Sequence, residues 1–135
     1  MHETPADLEQ LQELLDSSYA RAGKNLRDIH AQGRHLTAVE LAHRLDGPRW
    51  LVVATVNSHN RPFTAQVDGT FYRGHFYFGV NDPWSLKARH LIRNPAISAT
   101  HVPDDTWTVT VHGRGERVDV GRDGDVDLHR VLIDT

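Results

Sequence analysis

The stretch from Trp84 to Asn94 gathers the side chains of this sequence best suited to hold an anion. Lys87, Arg89 and Arg93 stand there with His90 among them and no acidic residue, in a chain whose 15 Lys and Arg are outnumbered by 18 Asp and Glu. Asp82 before Pro83 is a helix-start signal, because the carboxylate caps free backbone amides and proline has no amide to lose. The predicted helix runs from Pro83 to about Arg93 and stops before Asn94-Pro95. Lys87 then lies near its N-terminus, where the macrodipole disfavours a cation by a few tenths of a kcal/mol to about 1 kcal/mol. A phosphate held by the helix-start amides, the Ser85 hydroxyl and the Lys87 ammonium would resolve that conflict. An ordinary solvated basic face is the other reading.

The remaining chemistry is bounded by what the sequence contains. There is no cysteine, hence no disulfide, no thiolate nucleophile or zinc ligand and no iron–sulfur cluster. Redox chemistry, if any, must come from a bound cofactor. None of the ten histidines falls in a spacing such as H-E-x-x-H, so they read as surface and hydrogen-bonding groups and no metal site is assigned. His112 is either a heme ligand or proton donor, or a hydrogen-bonded strand histidine. Gly113-Arg114-Gly115 lacks the third glycine of a phosphate loop and sits inside a strand pattern, which points to backbone geometry. Trp84, Trp107, Phe76, Tyr77 and Phe78 could stack on a cofactor ring or fill the core.

The elements that must position these groups follow from periodicity. The chain has 135 residues, 39% apolar and 24% charged, enough for one compact fold. Thr4 and Pro5 open a helix in which Leu8, Leu11, Leu15, Tyr19, Ala22, Leu26 and Ile29 recur at helical spacing, with Gly23 a point at which it can split. Thr37 to Glu40 is a capping box for a short second helix ended by Gly47-Pro48. From residue 49 the period becomes that of strands: 50–56, 62–67, 70–72 and 75–80, with turns at Asn57 to Asn60, Asp68-Gly69 and Arg73-Gly74. Two more strands, 97–102 and 106–120, follow the basic helix. In the last, Trp107, Val109 and Val111 face one way and Thr106, Thr108, Thr110 and His112 the other, with Gly113 and Gly115 permitting a bulge. The tail from Asp125 to Ile133 reads as a terminal helix.

These elements predict a mainly β, α+β fold: a six-stranded antiparallel barrel over 36–135 with peripheral helices, preceded by a helical segment over 1–35. A barrel this small fills its interior with its own side chains, so a large ligand must sit outside it, against a second subunit. The net charge of −3 speaks against nucleic acid or an anionic membrane as partner. No apolar run reaches the length of a membrane span, and the polar, acidic start does not read as a signal peptide; a cytoplasmic location is expected.

The run Leu51 to Val67 (LVVATVNSHNRPFTAQV), the strand HFYFGV, then NDPWSLKARHLIRNPAIS and WTVTVHGRGERV together resemble the pyridoxamine 5′-phosphate oxidase-like group of FMN-binding split β-barrels. The resemblance covers residues 36 to 120. It implies a homodimer with FMN, or the deazaflavin coenzyme of actinobacterial relatives, bound in the groove between subunits. Residue by residue, it implies that Ser85 and Lys87 bind the cofactor phosphate and that Val80 and Asn81 meet the ring system or its ribityl chain. It further implies that Ala65, Gln66 and Val67 line the isoalloxazine. The chain has Ala65-Gln66-Val67 where the vitamin B6 oxidases have R-x-V, and Thr108 to Gly113 where they have Q-V-R-V-x-G, so pyridoxamine phosphate oxidation is not expected. The expectation is a flavin- or deazaflavin-dependent oxidoreductase that moves hydride to or from a small organic substrate, with no protein side chain needed as catalytic acid or base. A non-catalytic flavin, deazaflavin or heme storage protein, and a ligand-free dimerising module, are the alternatives.

Overall fold

The computed structural model describes residues 1–23, 35–80, 85–118, 121–123, 126–128 and 131–135. They form two compact units, one of residues 1–46 with the turn 72–74, the other of residues 47–71 and 75–135.

In the first unit, helix α1 spans Pro5–Arg21. The Thr4 side chain accepts from the Asp7 amide, and the Asp7 carboxylate accepts from the Thr4 amide, the reciprocal arrangement that satisfies two orphan donors. The helix ends at Arg21 with Ala22 as its cap, just before Gly23; Leu26 and Ile29 lie outside the described residues. Helix α2, Ala38–Arg44, is capped by Thr37, as its sequence predicts. The Ala38 amide donates to the Gln12 side-chain oxygen at 2.8 Å. Leu11, Ala38, Leu41, Ala42, Leu45 and Tyr72 form the buried apolar set of this unit.

The second unit carries strands β1 (Pro48–Val56), β2 (Pro62–Tyr72), β3 (His75–Phe78), β4 (Ala96–His101), β5 (Val109–Arg117), β6 (Gly121–Asp123), β7 (Val126–Leu128) and β8 (Val131–Asp134). Six of them close an antiparallel barrel in the order β1-β2-β3-β8-β5-β4. Helix α3, Leu86–Arg93, lies between β3 and β4 in the chain. Leu51, Val53, Val67, Phe71, Phe76, Phe78, Ile97, Ala99, Val131 and Ile133 are buried. They alternate with exposed or half-buried positions along their strands, the period-2 signature of a filled barrel.

Three expectations are corrected. Asp68-Gly69 is not a turn: β2 runs through it and pairs with β1 from Pro62 to Thr70, Trp50 opposite Asp68 and Arg49 opposite Gly69. A Cβ at residue 69 would stand 2.5 Å from Leu51 Cδ1, so glycine makes room for a core leucine. The tail is not helical; β6 pairs with β7, and β8 inserts between β3 and β5. The sixth barrel strand is therefore β8, and the predicted strands 62–67 and 70–72 are one. The last long strand spans Val109–Arg117 rather than 106–120. Arg73-Gly74 is the predicted turn, with φ of 49° and 87°, positive at both central residues as a tight hairpin requires.

Candidate functional site

Helix α3 begins at Leu86, with Ser85 as its N-cap, not at Pro83; Asn81 to Trp84 lie outside the described residues. The Ser85 hydroxyl accepts from the Ala88 amide at 3.4 Å, and its own proton stays available for an acceptor beyond the helix. The helix has no acidic residue in its first turn.

At 100° per residue, His90, Lys87, Leu91 and Ala88 share one side of α3, and Arg89, Arg93 and Ile92 the other. Burial follows that division. Ala88 and His90 are buried and Lys87 and Leu91 half-buried, whereas Arg89, Ile92 and Arg93 are exposed. Lys87 is thus the one cation on the packed side of the helix. Among the described residues, none of Lys87, Arg89 and Arg93 has a carboxylate partner.

The packed side is fixed to the barrel by His90, whose Nδ1 lies 2.8 Å from Thr55 Oγ1 on β1 and whose ring sits 5.2 Å from that of Phe63 on β2. On the opposite side of the barrel, Gly115 of β5 admits the Leu91 side chain, which a Cβ would meet at 2.9 Å. Gly113 and Gly115 serve close approach rather than a bulge. Helix α3 therefore spans one end of the barrel from β1 and β2 to β5. Beside it lies a cavity of about 140 Å³ lined by Val80, Ala88, Leu91, Ile92, Gly115, Arg117 and Val131.

The other predicted site residues are distributed as follows. Val80 is half-buried and lines that cavity, and Asn81 lies outside the described residues. Ala65, Gln66 and Val67 oppose Val53, Val52 and Leu51. Val67 is buried, Ala65 half-buried and Gln66 exposed, so strand alternation sends only Gln66 to the outer face. That face carries exposed Trp50, 60% accessible, and Val52, together with a polar ladder between β4 and β5. In the ladder, Ser98 Oγ lies 2.6 Å from His112 Nδ1 and the Thr100 and Thr110 hydroxyls 2.9 Å apart. His112 is thus a hydrogen-bonded strand histidine. Of the aromatics, Phe76 and Phe78 are buried and Trp107 packs edge-on against His101.

Thr55 and Arg117 were not singled out in the sequence, and His90 was noted there only as a member of the basic stretch. A signal existed for His90, three residues after Lys87 and so on the same helix side, and for Arg117, which continues the period-2 series of Val109, Val111, Gly113 and Gly115.

No protein-family model matches the chain, and no curated protein is similar to it. Among solved structures it is similar to the protein Atu2129 from Agrobacterium tumefaciens, described as of unknown function. The identity is 23% and the TM-score 0.49, over 56% of this chain and 35% of that one. The chain thus matches about a third of that protein's length. No helix among the described residues is long and apolar enough to cross a membrane.

Proposed function

We propose that the chain binds a phosphorylated flavin-type coenzyme, FMN or a deazaflavin, and works as a homodimeric oxidoreductase on a small organic substrate. The observation that carries this reading is Lys87, a half-buried cation at the second position of α3 with no carboxylate partner among the described residues. A phosphate there would accept from Lys87 Nζ and the Ser85 hydroxyl and complement the positive helix end. The coenzyme, when bound, supplies hydride transfer, and the protein supplies binding, orientation and exclusion of water.

The fit extends beyond the phosphate only in part. A cavity of about 140 Å³ holds one small ring, not a three-ring system, so the ring would lie on an outer surface. Gln66 is on such a surface, but Phe63, three residues away along β2, touches α3 from the opposite face of the strand. Ala65 and Val67 point to the barrel interior and would support the ring only through the strand that bears Gln66. The exposed Trp50 and Val52 give a second copy an apolar surface to cover.

Titration of the purified protein against FMN, a deazaflavin coenzyme and heme in parallel tests the reading. One of the first two should raise the melting temperature, by the equivalent of about 2.7 kcal/mol at 100 times its Kd, and Lys87→Ala should weaken it more than its phosphate-free analogue. Stabilisation by heme alone, or equal effects of Lys87→Ala on both analogues, would refute it.

A further inference from the structure

The inward-facing series of β5 ends in a charge. Val111, Gly113 and Gly115 oppose Ala99, Ile97 and Ile133, all buried. Two residues further on, Arg117 opposes Val131, also buried. Directly opposed residues in an antiparallel pair point to the same face, so Arg117 occupies an interior register position where the pattern calls for an apolar side chain. Its side chain is exposed, which places the guanidinium at the mouth of the barrel rather than within it.

The same mouth holds the cavity beside α3. Apart from Arg117 its described lining is Val80, Ala88, Leu91, Ile92, Gly115 and Val131, all without polar side-chain atoms. The small Ala88 side chain leaves part of the space unfilled, while Leu91 takes the room at Gly115. An apolar cavity of about 150 Å³ stays dry and takes up benzene; this one, at about 140 Å³, has the same capacity. Such walls, apolar apart from Arg117 and a little backbone, offer a water molecule few of the two to four polar partners it needs. A guanidinium at the mouth pairs with carboxylates in a planar two-point geometry.

We infer that this cavity is a binding site for a small monocarboxylate whose apolar body is about the size of one six-membered ring. The body gains burial against Val80, Leu91 and Val131, and the carboxylate meets Arg117 at the rim. No coenzyme is needed for this binding, so it stands or falls separately from the role of Lys87.

Methyl-resolved NMR titration of the full chain with benzoate and with benzyl alcohol tests the site. Benzoate should shift the methyl signals of Val80, Leu91, Ile92 and Val131 saturably, with a Kd at least tenfold below that of the alcohol. Arg117→Gln should abolish the difference between the two ligands, and Arg117→Lys should restore part of it. Ala88→Leu, which fills the space, should remove binding of both. Absence of saturable shifts, shifts mapping to other methyls, equal affinity for acid and alcohol, or unchanged binding by a folded Ala88→Leu would each overturn the inference.

Discussion

His90 Nδ1 and Thr55 Oγ1 are 2.8 Å apart with both residues almost fully buried, and this bond ties helix α3 to strand β1. Neither group has water as an alternative partner, so removing one leaves the other unsatisfied, at a cost of about 1–3 kcal/mol. Thr55→Val, close in shape, should lower the unfolding free energy by that amount in urea denaturation. A cycle with His90→Leu should show coupling, because the double variant buries no widowed polar group. Additive losses would mean that the contact contributes nothing.

Gly113 and Gly23 should respond oppositely to alanine. A Cβ at residue 113 would run into the Asp134 carbonyl group, whereas one at residue 23 meets nothing within 4 Å. Backbone cannot swing aside as a side-chain end can, so Gly113→Ala should cost about 1–3 kcal/mol or more. Gly23→Ala should stay within about 0.5 kcal/mol of the parent. Thermal melts of both variants check the contrast.

Asp7 makes the first unit sensitive to acid. Burial alone would push its carboxyl up, but the Thr4 amide, Arg73 at 3.0 Å and the Thr4 hydroxyl outweigh it, and the carboxyl lies below the usual value. A carboxyl lowered on folding adds stability that is complete above its unfolded pKa, about 3.9, and is lost as pH falls through the lower folded value. Asp7→Asn should therefore be less stable than the parent at neutral pH, with the gap closing progressively below pH about 4. Denaturation midpoints at several pH values would reveal it, and a gap independent of pH would contradict it.

The three cations of α3 should not be equivalent towards a phosphorylated coenzyme. Arg89 and Arg93 are exposed and Lys87 half-buried, so solvent and salt screen the arginines more strongly. Lys87→Ala should weaken FMN or deazaflavin binding by about tenfold or more, and Arg89→Ala or Arg93→Ala by about threefold or less, with the arginine effects vanishing in high salt. Calorimetric titration at two ionic strengths measures both.

The helix caps, the central strand β1 and the Arg73-Gly74 turn were legible in the sequence because each is decided by neighbours a few residues away. What was misread depends on distant partners. Asp68-Gly69 carries turn chemistry, yet Gly69 is a strand residue because Leu51, eighteen positions earlier, occupies the space a side chain would take. Val131 and Ile133 became strand residues only by pairing with Phe78 and Phe76 on one side and Arg117 and Gly115 on the other. In the candidate site, Ser85 and Lys87 were legible as a helix start, although the cap is Ser85 itself. Ala65, Gln66 and Val67 could not form one surface, since adjacent strand residues face opposite ways.

The place of β8 between β3 and β5 has a consequence for self-association. A closed sheet exposes no unpaired backbone row, and so gives another chain no template to extend. Detaching this four-residue strand would uncover two such rows at once. Resistance to aggregation therefore rests on holding Val131 and Ile133 in the core, and substitutions that loosen either should surface first as strand exchange between molecules, before any loss of the remaining barrel.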